Sequence, residues 1–185
     1  MHLLRIIFCF FLLVVLIFPI AFVCLLIKIE TKGPIIYWSK RIGINNKTFM
    51  MPKFRTMKVF APQISTELMA KEQNYITRVG HYLRKMSIDE IPQIYSIIKG
   101  DMAFIGPRPA LFNQEDLIEL RTKMGIHRVL PGITGWAQVN GRDSNSVKIK
   151  VSHDLYYLNN QSILLNFKII FLTILKLFNS KDISH

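Results

Sequence analysis

Residues 6–27 carry no charged side chain and consist almost wholly of Ile, Leu, Val and Phe. A bilayer core about 30 Å thick asks for roughly 20 apolar residues of helix, so this run is long enough to insert. It exceeds the usual signal-peptide core of about 7–15 residues, and no small-residue cleavage site follows it. The run therefore reads as a membrane segment. Pro19 stands inside it, without an N–H and with a ring that clashes one turn back, so the helix is expected to kink or break there. Arg5 precedes the run, and Lys28, Lys32, Lys40 and Arg41 follow it. Positive charge favours the cytoplasmic side. Two geometries stay open on these grounds: a kinked span, since proline is tolerated in membrane helices, and a re-entrant hairpin bent at Pro19 with both ends on the cytoplasmic face. Cys9 and Cys24 act most simply as small hydrophobes.

The remaining chain reads as one small basic domain. Lys and Arg number 24 against 12 Asp and Glu, a formal net charge of +12, and half of all residues are hydrophobic. That apolar fraction excludes a disordered chain, and two cysteines can build neither a disulfide framework nor a zinc site. Short strands are predicted at 35–38 and 48–51 around the turn-prone Asn45-Asn46. Thr77 is placed to cap a helix running to 85. A second helix is predicted from about 89, with Ile91, Ile94, Tyr95 and Ile98 on one face and Gly100 as its stop. A strand at 102–105 leads into Gly106-Pro107-Arg108-Pro109. A helix at 113–124 ends at Gly125, and a Gly-rich stretch follows at 131–142. The pattern is α+β: a membrane helix at 1–30, a small mixed α/β domain at 31–160, and an amphipathic helix and tail at 161–185.

Two helices close the chain. In the first, 147–158, Val147, Val151 and Leu158 share a stripe, and Asp154 falls in its middle. A carboxylate there must be paired or must face a waiting cation. The last, 162–178, gathers Asn166, Lys168, Thr173 and Lys176 on about half its wheel, at roughly 100° per residue, the rest being apolar. It suits either a membrane interface, with lysines reaching for headgroups, or a packed core.

The chemistry lies in short strings. Ser87-Ile88-Asp89-Glu90-Ile91-Pro92-Gln93 sets adjacent carboxylates at a helix start. Ser87 with Glu90 three residues on has the spacing of a capping box, and acids favour a helix N-terminus in any case. The functional reading is a nucleophile, Asp89, kept ionised by the dipole, beside a magnesium ligand, Glu90. Gly106-Pro107-Arg108-Pro109 presents one guanidinium between two prolines, with little entropy left to lose, in a form suited to bidentate phosphate contact. Lys53-Phe54-Arg55-Thr56-Met57 and Asn140-Gly141-Arg142 supply further cations. The basic residues are scattered, without a Lys/Arg-rich run, and favour anionic lipid headgroups and phosphate-bearing substrates over nucleic acid.

Taken in order, Lys53-Phe54-Arg55-Thr56-Met57, Asp89-Glu90-Ile91-Pro92-Gln93, Lys99-Gly100-Asp101-Met102, Gly106-Pro107-Arg108-Pro109 and Pro131-Gly132-Ile133-Thr134-Gly135-Trp136-Ala137-Gln138-Val139-Asn140-Gly141-Arg142 resemble the bacterial sugar transferases, more narrowly the small monotopic phosphoglycosyl transferases. The resemblance runs from about residue 32 to 178. It implies transfer of a phosphosugar from a UDP-sugar to polyprenyl phosphate on the cytoplasmic face of the bacterial inner membrane, with release of UMP, as the first membrane step of a surface glycan that downstream glycosyltransferases extend. It implies that Asp89 forms a covalent acyl-phosphate, that Glu90, with Asp89 beside it, helps hold Mg²⁺, and that Arg108 contacts the nucleotide-sugar phosphates. Lys53, Arg55, Arg142 and Asp154 complete the implied polar site, and the implied N-terminal helix is re-entrant. Several positions depart from the family pattern: no acid accompanies Arg5, Phe18 stands where serine often precedes the proline, Ser39 replaces glutamine, Pro52 an aromatic, and Asn166 an aspartate. The alternative function is a catalytically idle membrane scaffold of the same fold. Which UDP-sugar is used does not follow from these strings.

Overall fold

The computed structural model describes residues 2–61, 75–141 and 146–178. Its elements are α1 (His2–Val15), α2 (Ile17–Glu30), β1 (Ile36–Ile42), β2 (Thr48–Phe54), α3 (Arg78–Lys85), α4 (Ile94–Lys99), β3 (Ala103–Ile105), α5 (Glu115–Lys123), β4 (Gly132–Thr134), α6 (Trp136–Val139), α7 (Val147–Asn159) and α8 (Ile163–Phe178). The mixed α and β character expected from the sequence is present. Strands β1 and β2 form one two-stranded sheet and β3 and β4 another. Asn45 and Asn46, between β1 and β2, both take positive φ (54° and 58°), a conformation that asparagine tolerates better than most residues.

The chain divides into two compact units, residues 1–38 with 52–99, and residues 39–51 with 100–184. In the first, α1 and α2 meet at 61°. The cause is local. Leu16 N still donates to Leu12 O (2.9 Å) and Ile20 N to Leu16 O (2.8 Å), but Pro19 has no N–H for the turn between them. Among the described residues no single helix is long and apolar enough to cross a membrane, whereas the bent pair together meets that test by length and composition. Phe8, Phe10, Phe11, Val14, Phe18, Phe22 and Ile29 on this pair are exposed, an apolar surface far larger than scattered single residues would make.

The inner side of α2 forms the core of the first unit. Val23 and Ile27 pack with Phe54 and Leu83, supported by Ile20, Val79, Ile88 and Ile91. The end of α2 is tied down by polar contacts as well. Glu30 accepts from the backbone N–H groups of Arg78 (2.6 Å) and Val79 (3.0 Å), so it satisfies first-turn donors of α3 that have no partner within the helix. The predicted cap is also formed, Thr77 Oγ1 accepting from Gly80 N at 2.9 Å.

The segment after α3 departs from expectation. A 3₁₀ helix spans Ile88–Gln93, and the α-helix starts only at Ile94. Ser87 is left-handed (φ 54°) and its side chain makes no cap, so the capping box does not form; Glu90 N bonds the Ser87 carbonyl instead, at 3.3 Å. A left-handed residue directs its hydroxyl away from the amides that follow it. The 3₁₀ turn, with three residues per turn, also shifts the buried face. Ile94 and Ile97 are buried while Tyr95 is exposed, which corrects the face drawn through Ile91, Ile94, Tyr95 and Ile98.

In the second unit β3 and β4 run parallel, Ala103 opposite Gly132 and Ile105 opposite Thr134. One apolar cluster joins Ala110, Leu117, Ile126 and Val151, and another joins Val139, Tyr157, Leu165 and Ile169. Helix α8 therefore has a packed face. Three residues of its polar arc contact protein: Asn166 Oδ1 accepts from Tyr157 OH (3.1 Å), Thr173 Oγ1 pairs with Thr134 Oγ1 (2.7 Å), and Lys168 Nζ lies over the Trp136 ring. Lys168 as a whole stays exposed. Ile163, Leu164, Phe167 and Phe171 are exposed.

Candidate functional site

In the first unit, Lys53 comes from the end of β2, and Asp89 and Glu90 from the 3₁₀ turn. Lys53 Nζ lies 2.8 Å from Glu90 Oε1 and 3.6 Å from Asp89 Oδ2. At this end of β2 Met51, Pro52 and Phe54 are all buried, and Lys53 among them is only partly exposed. The turn sets the two carboxylates on adjacent residues, and one ammonium serves both. Asp89 is only 7 % exposed. A carboxylate so far from water is costly without a cation, and here Lys53 supplies it. The sequence assigned that task to a helix dipole, yet the turn at Asp89 is 3₁₀ and short.

A second cation acts on Asp89. Arg84, on α3, donates from Nε to Thr56 Oγ1 at 2.9 Å. Burial pushes its guanidinium below the ordinary value, and the negative charge of Asp89 works in the opposite sense. Arg84 was not among the residues singled out in the sequence. Its place three residues before Ser87, on the last turn of α3, is the one signal that could have pointed to it.

Arg55 has a different setting. Its Nη2 donates to the carbonyl and hydroxyl of Thr31, the residue that ends α2, and its Nε and Nη1 are buried without a hydrogen-bond partner. Gly33 lies against it so closely that a Cβ there would stand 2.4 Å from Nη1. The guanidinium ties the exit of α2 to the strand that carries Lys53.

Arg108 and Asp154 belong to the second unit, and Arg142 lies outside the described residues. Asp154 is buried in the apolar stripe of α7 as read from the sequence, and it is paired. Arg121 of α5 donates to Asp154 Oδ2 from Nε (3.0 Å) and from Nη2 (2.6 Å). Its third nitrogen, Nη1, donates to the backbone carbonyl of Arg108 at 2.8 Å. Burial lifts the Asp154 carboxyl above its ordinary range, against the pull of Arg121. The stripe position of Asp154 called for a cation without saying which one. Arg121 stands 33 residues away and carries no local mark.

Among the described residues no three His, Cys, Asp or Glu side chains gather as a metal cage. The donor set that is present, two adjacent carboxylates, nonetheless fits magnesium, which keeps several waters and takes one or two protein carboxylates together with substrate phosphates.

Comparison with known proteins adds an independent finding. A family model described as bacterial sugar transferase matches residues 2–180. The UDP-N-acetylgalactosamine-undecaprenyl-phosphate N-acetylgalactosaminephosphotransferase of Aeromonas hydrophila is 41 % identical over 155 residues, covering 80 % of this chain and 36 % of that protein. The uncharacterized sugar transferase EpsL of Bacillus subtilis (strain 168) is 37 % identical over 166 residues, covering 89 % of this chain and 80 % of that protein. The UDP-glucose:undecaprenyl-phosphate glucose-1-phosphate transferase of Escherichia coli (strain K12) is 36 % identical over 166 residues, covering 86 % of this chain and 36 % of that protein. The chain thus spans little more than a third of the Aeromonas and Escherichia proteins and most of the Bacillus one.

Proposed function

From the premise that this chain belongs to the bacterial sugar transferase family, we propose that it transfers a sugar phosphate from a UDP-sugar to polyprenyl phosphate, releasing UMP, at the cytoplasmic face of a bacterial inner membrane. The observation that carries the reading is the arrangement of Asp89: a nearly buried carboxylate beside a second carboxylate, with the ammonium of Lys53 within 3.6 Å.

Two in-line displacements make up the reaction. A carboxylate oxygen of Asp89 attacks the phosphorus that bears the sugar. An acyl-phosphate bond forms, the diphosphate P–O bond breaks, and its electron pair leaves with UMP. An oxygen of polyprenyl phosphate then attacks the same phosphorus, and the Asp89 carboxylate departs with the electrons of the acyl-phosphate bond. The product is polyprenyl diphosphate sugar, and Asp89 is regenerated. Dividing the transfer lets the lipid phosphate enter after UMP has left.

Phosphoryl transfer asks mainly for positioning and charge neutralisation. Lys53 places a positive charge beside the buried Asp89 carboxylate, which would be costly to bury without one. When the first bond forms, the carboxylate charge is consumed and the ammonium is left to face the phosphoryl oxygens. Glu90, with Asp89 beside it, would hold Mg²⁺, which when bound would neutralise charge on the donor diphosphate. Arg108 is assigned contact with the donor phosphates, and Arg142 is assigned to the polar site around them. The apolar surface of α1 and α2 supports a membrane-embedded, re-entrant anchor that keeps the catalytic turn near a lipid acceptor.

The test is direct. Purified protein with Mg²⁺, polyprenyl phosphate and a panel of UDP-sugars is expected to release UMP with at least one sugar, and the Asp89→Asn variant none. Full release by Asp89→Asn would overturn the covalent route. A folded protein idle with every sugar would favour the scaffold reading.

A further inference from the structure

Four consecutive carbonyls, from Pro107 to Ala110, each accept a hydrogen bond from a different donor within the second unit. Gly132 N donates to Pro107 O (3.0 Å), Arg121 Nη1 to Arg108 O (2.8 Å), Arg41 Nη1 to Pro109 O (3.2 Å) and Ile42 N to Ala110 O (3.0 Å). Pro107 and Pro109 have no amide hydrogen and a fixed φ, so the loop is held largely from its carbonyl side. Its outer two ties come from backbone and its inner two from arginine side chains.

Arg121 is the tie with the most elaborate support. An arginine side chain has many rotamers to lose, and a free one would hold a carbonyl poorly. Here Asp154, 1 % exposed, takes Nε and Nη2 and leaves Nη1 directed at the Arg108 carbonyl. The Pro107 and Arg108 carbonyls lie in the two planar peptide units that meet at the Arg108 Cα, so holding both fixes the direction from which its side chain leaves. A buried ion pair adds little net stability over an apolar pair of similar volume, so stability alone does not account for it.

We propose that Arg121, oriented by Asp154, is a positioning residue that aims Arg108. Its effect on turnover rests on the reading of Arg108 as a phosphate contact; its effect on the loop does not. Asp154 serves through Arg121.

Two variants test this. Arg121→Lys keeps the charge but has one nitrogen where three are used. Arg121→Met with Asp154→Leu leaves no buried charge, and it covers the case in which the lysine variant fails to fold. Amide hydrogen exchange in residues 104–113 is expected to speed up in both, with residues 94–99 unchanged. UMP release is expected to lose about 10²-fold in kcat/KM, the usual cost of misplacing a reacting contact by about 1 Å, and to lose nothing further when the same changes are made in an Arg108→Ala background. Unchanged exchange in 104–113, or an equal loss in both backgrounds, overturns the proposal. If Arg108→Ala alone keeps the full rate, or if the wild-type chain releases no UMP, the functional reading fails instead, and exchange still decides whether Arg121 holds the loop.

Discussion

The Lys53 ammonium stands 2.8 Å from Glu90 Oε1, across a separation of 37 residues. The same nitrogen lies 3.6 Å from Asp89 Oδ2, so one cation serves a proposed nucleophile and a proposed metal ligand. Lys53→Met is therefore expected to lower UMP release by about 10²–10³, the range seen on losing one electrostatic donor at a reacting centre. Steady-state UMP assays check it, and an unchanged rate removes Lys53 from the chemistry.

Glu90 reaches the reaction by another route. Glu90→Gln keeps the shape of the side chain and removes its charge, so the variant is expected to need more Mg²⁺ for half-maximal UMP release. A magnesium titration at saturating donor measures this. An unshifted midpoint would separate Glu90 from the metal.

The junction between α2 and α3 is open to a stability test. Glu30 caps two first-turn amides of α3, where negative charge is also favoured by the helix dipole. Glu30→Ala is expected to cost about 1 kcal/mol, as other lost N-terminal caps do, and Glu30→Gln less. Denaturant unfolding in detergent reads both values, and equal stability of the alanine variant and wild type refutes the cap.

Asp154 predicts a pH dependence. Its carboxyl is raised above the ordinary range by burial, so the folded chain binds this proton more readily than the unfolded chain does. That contribution to stability is complete below the ordinary carboxylate pKa and is lost as pH rises through the raised value. The Tm of wild type minus that of Asp154→Asn is expected to fall as pH rises across this window. A difference that grows with pH gives the opposite sign and contradicts the shift.

Gly106 lies so close to the chain at 130–132 that a Cβ would stand 2.4 Å from the Leu130 carbonyl oxygen. Backbone on both sides leaves little room for relief. Gly106→Ala is expected to destabilise by about 1–3 kcal/mol, as overpacking does, and to lower turnover with it. Wild-type stability in that variant would mean that the 106 and 130–132 segments can separate without loss.

Features that depend on a few neighbouring atoms were legible in the sequence. Pro19 breaks the first helix because a missing N–H and a ring clash act within one turn. Thr77 caps α3, Gly125 takes a left-handed φ of 74° after α5, and Asn45-Asn46 turns the chain, all for similarly short-range reasons. The apolar run, the α+β character and the order of the family strings needed no tertiary information either. Ser87 shows where local reasoning stops: its spacing to Glu90 suited a capping box, but the chain passes through a left-handed conformation there and continues as a 3₁₀ turn.

What only the tertiary structure decided is which charges meet. Lys53 with Glu90, Arg121 with Asp154, and Arg55 with the end of α2 join residues that lie far apart in the chain. With 24 basic side chains available, periodicity could demand a cation for Asp154 yet could not choose one. That choice falls to packing, because a long-range ion pair forms only where loop closure and core contacts have already brought two backbones within side-chain reach.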